Sequence, residues 1–123
     1  MKHLLVIATG GAAGAVFRYG LSSGIAHWFG KGFPLGTLTV NVVGSGLMGF
    51  LYVLMLQRVV SEEWRLALLT GLLGAFTTFS TFSVETLNLF QDGAYAKAGG
   101  NIILSVFLCL FAAWLGMFAG KQI

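Results

Sequence analysis

Apolar residues run almost without interruption through four stretches of this chain, roughly 4–29, 35–60, 66–90 and 98–120, and polar residues collect in the short gaps between them. A bilayer core about 30 Å thick takes about 20 such residues per helix, so each stretch is long enough to cross once. The gaps carry turn and capping signals. Gly30-Lys31-Gly32-Phe33-Pro34 parts the first two stretches, with Pro34 suited to the first turn of a helix, where its missing N–H is not needed. Ser61-Glu62-Glu63 reads as an N-cap followed by acids in the first turn, which starts the third helix near Glu62 and gives it the range 62–90. Gln91-Asp92-Gly93-Ala94-Tyr95 turns the chain into the fourth helix, 98–120. All connections are short, so consecutive helices are expected to be antiparallel neighbours in a single all-α transmembrane domain spanning 1–123.

Composition fixes the solvent. The chain is 57% hydrophobic and 9% charged, with a mean hydropathy of +0.88, whereas about a quarter of a soluble domain is charged. The net charge of +3 is spread over loops and helix ends and does not suggest nucleic acid. Cys109 is the only cysteine, so no intrachain disulfide can form. Lys2 and the run after it resemble a secretory signal with a poor cleavage site at Ala12-Ala13-Gly14, but the run is long and is expected to stay as the first helix. There is no Ser/His/Asp set, no His/Cys cluster and no phosphate loop; His3 and His27 lie near the ends of helix one, as interfacial residues do. An enzyme is not expected.

Polar residues inside a membrane are costly and therefore informative. Thr37, Asn41 and Ser45 share one face of helix two, and Asn101, Ser105 and Cys109 share one face of helix four. Either stripe alone is most simply interhelical hydrogen bonding, worth about 1 kcal/mol per bond. Arg18 lies well inside helix one, placed either to snorkel toward the far interface or to face a vestibule. Gly10/Gly14, Gly20/Gly24 and Gly116/Gly120 are GxxxG pairs, which let helix backbones approach closely, within one subunit or against another chain.

One segment does not fit a stripe. In LLGAFTTFSTFSVE, beginning at Leu72, the residues Thr77, Thr78, Ser80, Thr81 and Ser83 cover every face of a helix. Hydroxyls supply partners where a helix unwinds inside protein at membrane depth, and the β-branched Thr77 and Thr78 oppose a regular helix. With Gly71 and Gly74 just before them easing the unwinding, helix three is expected to break near 74–79. Such a break releases carbonyls, suited to a hard cation such as Na⁺, and starts a second half-helix whose positive end suits an anion. Phe79 and Phe82 then share a face of that half-helix, and a phenyl ring has a positive edge that can meet a small anion.

The segments GGAAGAVFRY from Gly10, PLGTLTVNVVGSGLMG from Pro34 and TGLLGAFTTFSTFSVE from Thr70 resemble the signature segments of the CrcB/Fluc family of fluoride channels. The resemblance spans nearly the whole chain. It implies an antiparallel, dual-topology homodimer in the bacterial cell membrane, with two pores and a structural Na⁺ at the dimer centre, passively exporting fluoride from the cytoplasm and so protecting against its toxicity. On this resemblance Phe79 and Phe82 match the phenylalanines lining the pores, Asn41 matches the pore asparagine, and Ser80 and Thr81 match polar positions beside the rings. Gly74 and Thr77 match the positions whose backbone carbonyls bind Na⁺. Arg18 matches the vestibule arginine, Glu85 the carboxylate after the break, and Ser105 the fourth-helix polar track, while Thr37 extends the Asn41 stripe. Cys109 stands where a hydroxyl or small residue is expected, and Asn101 where some members carry tyrosine.

Two other readings compete. A small dual-topology, proton-coupled multidrug transporter needs a carboxylate deep in the membrane, and Glu85, the one acid within an apolar span, lies toward the end of helix three. A purely structural subunit accounts for the glycine pairs but not for the break. The positive-inside rule supports dual topology: Lys2, Arg58, Arg65 and Lys121 fall on the side of the termini, and Arg18, Lys31 and Lys97 on the other, a bias of one charge.

Overall fold

The computed structural model describes residues 1–123 and is built of helices alone. Helices α1 (Lys2–Phe29) and α2 (Leu35–Gln57) are followed by a third membrane span in two pieces, α3 (62–76) and α4 (Phe79–Gln91), and by α5 (Tyr95–Gln122). Four spans are thus long and apolar enough to cross a bilayer.

The ends differ from the expected ranges for local reasons. Helix α2 stops at Gln57, short of Val60, because Arg58 is already extended at φ −122°, ψ 153°. Pro34 is its N-cap rather than part of its first turn. Helix α5 begins at Tyr95, ahead of Ala98, because hydropathy marks only the length of helix in lipid and Lys97 winds on outside it. Ser61 caps α3 as expected, its Oγ accepting from Trp64 N at 3.4 Å.

Residues Leu66–Leu73 of α3 are wound as a π-helix, which hydropathy does not reveal. A π-turn is wider than an α-turn and is frequently found at functional sites. Here it runs against α1 at backbone contact: a methyl added to Gly10 or Gly14 would overlap the carbonyls of Ala67 or Leu72. Gly116 is pressed against the Gly46 carbonyl of α2 in the same way. The Gly10/Gly14 and Gly116/Gly120 pairs therefore pack helices within one chain. Gly20 and Gly24 differ, having nothing within 4 Å of where a Cβ would stand.

Helix α3 packs on α1, whereas α4 packs on α5. The third span therefore crosses from one flank of the bundle to the other at its break. It crosses over α2 at Gly44, where the Thr77 methyl and the Phe76 ring fill the space a side chain would take. Only 17 of 123 residues are buried within the chain, and α5 exposes Phe107, Leu110, Phe111, Trp114 and Phe118. An apolar surface of that extent belongs in lipid or against another apolar surface.

Candidate functional site

The break falls at Thr77 (φ −89°, ψ 158°) and Thr78 (φ −151°, ψ 120°), both extended. It is narrower than the expected 74–79, because Gly74–Phe76 remain helical. Gly71 and Gly74 do not form the break itself; Gly71 lies within the π-turn, against Ile7 and Gly10 of α1.

Each end of a helix leaves backbone groups without intrahelical partners, and in a membrane interior side chains must supply them. Two residues from other helices do so here. Arg18 of α1 donates from Nε to the Ala75 carbonyl at 2.9 Å. Asn41 of α2 pairs with Thr78 on both sides, its Nδ2 donating to the Thr78 carbonyl at 2.9 Å and its Oδ1 accepting from Thr78 N at 2.7 Å. Asn41 and Gly44, three apart, explain the crossing point: one makes room for the extended chain and the other bonds it.

Thr78 is also the N-cap of α4. Its Oγ1 accepts from Thr81 N at 3.2 Å, donates to Thr81 Oγ1 at 3.2 Å and lies 3.3 Å from Ser80 Oγ. The Thr77 hydroxyl donates back to the Leu73 carbonyl at 3.1 Å. These bonds divert the amides of Thr78 and Thr81 to Asn41 and to the Thr78 hydroxyl. In a continuous helix those amides would bond the carbonyls four residues earlier, which belong to Gly74 and Thr77. The break thus frees two carbonyl oxygens by a mechanism readable bond by bond.

Two cavities flank the first turns of α4. One, of about 470 Å³, is a groove containing Asn41, Ser45, Thr78, Phe79, Phe82, Ser105 and Cys109. The rings of Phe79 and Phe82, both lining this groove, have centroids 5.3 Å apart and are tilted by 46° to one another. Phe79 is 78% exposed in the single chain. The other cavity, of about 440 Å³, is polar and contains Ser22, Lys31, Thr37, Thr81, Glu85 and Asn88. Glu85 Oε1 is buried there without a hydrogen-bond partner, the kind of unsatisfied group that calls for an explanation. The Thr37–Asn41–Ser45 stripe runs from the polar cavity to the groove, past the break.

The structure therefore brings Asn41, Phe79, Phe82 and Ser105 to one groove and Thr37, Thr81 and Glu85 to one polar cavity. Arg18 is tied to the break, and Ser80 beside it is exposed. No group of three or more His, Cys, Asp or Glu side chains could hold a metal, and the oxygens at the break are backbone carbonyls, hydroxyls and the Asn41 amide.

Sequence reading missed two features. Thr78 is the hub of the break, and the hydroxyl followed three residues later by Thr81 is the capping signal that marks it. Thr86, buried between α4 and α5, bonds to Asn101. Its i, i+4 relation to Phe82 was visible, but its partner on another helix was not.

A family model described as "CrcB-like protein, Camphor Resistance (CrcB)" matches residues 5–117. A "Fluoride-specific ion channel FluC" of Methylococcus capsulatus is 54% identical over 121 residues, covering 98% of this chain and 53% of that protein, so the chain spans about half of that relative's length. The channel of the same name from Magnetococcus marinus is 52% identical over 118 residues, covering 95% of this chain and 96% of the relative. That of Coxiella burnetii is 48% identical over 123 residues, covering 98% and 99%.

Proposed function

This chain belongs to the CrcB family, and from that premise we propose that it is a fluoride-selective channel, passive rather than catalytic, working as an antiparallel homodimer in the bacterial inner membrane and exporting fluoride from the cytoplasm. The observation that carries the reading is the groove at the break, where tilted phenyl rings, Asn41 and the positive end of α4 meet without a full charge. Fluoride is small and strongly hydrated. A narrow path of ring edges, hydroxyls and amide N–H groups replaces its water in small steps, binding well enough to admit the ion and weakly enough to release it. Asn41 keeps one Nδ2 hydrogen for the groove after bonding Thr78. Thr37, Thr81 and Glu85 continue the path into the polar cavity, and Ser80 and Ser105 flank the rings.

A single chain leaves Phe79 open on one side, so a second copy is needed to close each of two paths. Exposed Gly74 and the unpartnered Gly20/Gly24 pair supply surface for it.

The same second copy completes a Na⁺ site. The carbonyls of Gly74 and Thr77, deprived of their helical donors, are hard oxygen ligands, and a two-fold axis would bring four of them together. A cation there offsets the freed carbonyls and stabilises the dimer by mass action if it binds only the assembled state. Exchanging Na⁺ for a large organic cation is expected to weaken dimerisation or slow fluoride flux; unchanged flux and association after thorough Na⁺ removal would count against the site.

The competing transporter reading requires coupling to protons. Purified protein in liposomes loaded with fluoride decides between them, using a fluoride electrode with and without a pH gradient. Efflux that needs no gradient, with chloride retained, is expected. Gradient-driven transport, or equal passage of chloride, overturns the channel reading.

A further inference from the structure

Asn101 is 1% exposed, although an amide in an apolar helix has every reason to face a polar cavity. It lines neither cavity described above. Its Nδ2 donates to Thr86 Oγ1 at 2.9 Å, Thr86 Oγ1 donates to the Phe82 carbonyl at 2.7 Å, and Ser105 Oγ donates to Asn101 Oδ1 at 3.4 Å. The direction of this chain of bonds follows from the proton inventory. The Thr86 proton is spent on Phe82, so its oxygen must accept, Asn101 must turn its NH₂ toward it, and Oδ1 is left to accept from Ser105. Thr86 and Ser105 are themselves buried residues, at 7% and 8% exposure.

We propose that Asn101 is a positioning residue for the phenylalanine pair, holding the first turns of α4 in place through Thr86 and the Phe82 carbonyl. The inference rests on the channel reading above for its consequence, but not for its geometry. Helix α4 needs such an anchor. It is separated from α3 by two extended residues, meets α2 mainly through the Asn41 bonds at its N-cap, and packs along its length chiefly on α5. The hydrogen bond from Asn101 joins α5 to α4 four residues beyond Phe82, on the turn that carries its carbonyl. A buried amide with a buried partner gives one preferred register where sliding apolar surfaces would give several.

The test uses Asn101→Leu, Thr86→Val, the double variant and the conservative Thr86→Ser, each reconstituted as full-length protein. Misplacing an ion-coordinating group by a fraction of an ångström is expected to lower fluoride flux by about tenfold. Asn101→Leu and Thr86→Val should each show this loss, the double variant should lose no more than either alone, and Thr86→Ser should retain wild-type flux. A second readout needs no ion: 4-fluorophenylalanine in place of Phe82, followed by ¹⁹F NMR. Its resonance should shift or broaden in Asn101→Leu and Thr86→Val and stay unchanged in Thr86→Ser. Wild-type flux with an unmoved resonance in Asn101→Leu overturns the proposal, as does a lowered melting temperature with full flux per folded protein. If wild-type protein carries no fluoride, the channel reading fails, and the resonance alone still decides whether Asn101 holds Phe82.

Discussion

Replacing Phe82 or Phe79 with isoleucine is expected to lower fluoride flux by about a hundredfold, which corresponds to roughly 3 kcal/mol of stabilisation lost along the path. The rings lie side by side at the head of α4, tilted by 46° with centroids 5.3 Å apart, and the groove they enter holds no charged side chain. An anion passing there has given up much of its water. The ring edge is electropositive and the aliphatic branch of isoleucine is not, so the substitution keeps bulk while removing what attracts the ion. Folding should change little. Phe79 is largely exposed within the chain, and α4 is held by Asn41, its Thr78 cap and Asn101 rather than by the rings. Flux from liposomes, measured beside melting temperature and oligomeric state, separates the two effects. Wild-type flux in both variants would remove the rings from the path.

Much of this arrangement is legible in the sequence. Four apolar runs set the four spans, because lipid demands continuous apolar length, and contiguous hydroxyls marked the break, because only a broken helix needs them on every face. Other features were not legible, for reasons that are equally physical. The π-turn over Leu66–Leu73 changes hydrogen bonding without changing hydropathy. The bonds from Arg18 to Ala75 and from Asn41 to Thr78 span 57 and 37 residues, and no local pattern encodes such pairings. Asn101 stood in a polar stripe with Ser105 and Cys109, yet periodicity gives only a shared face, not which neighbour it meets. The glycine pairs show the same limit: spacing alone could not tell Gly10/Gly14, used inside the chain, from Gly20/Gly24, left free.

The pairing of two chains head to tail carries the largest all-or-none expectation. Positive charge near the membrane sets orientation, and the structure changes the count. Lys2, Arg58, Arg65 and Lys121 remain at the end that holds both termini, whereas Arg18 is tied to the Ala75 carbonyl inside the bundle, leaving Lys31 and Lys97 at the other end. Four against two is a weaker balance than four against three, yet a bias of two charges is still small. Newly made chains are therefore expected to insert in both orientations, with more termini inside than outside. A compartment-sensitive reporter on the C-terminus should register both populations. Lysines added to the loop after α1 should drive the termini outward, and lysines added after α2 should fix them inward. An antiparallel dimer needs both forms, so each biased variant expressed alone should export no fluoride, and the two expressed together should restore export. Restoration is the decisive arm, since two damaged proteins would not repair one another. A uniform wild-type orientation, with full export by one biased variant, would rule the antiparallel homodimer out.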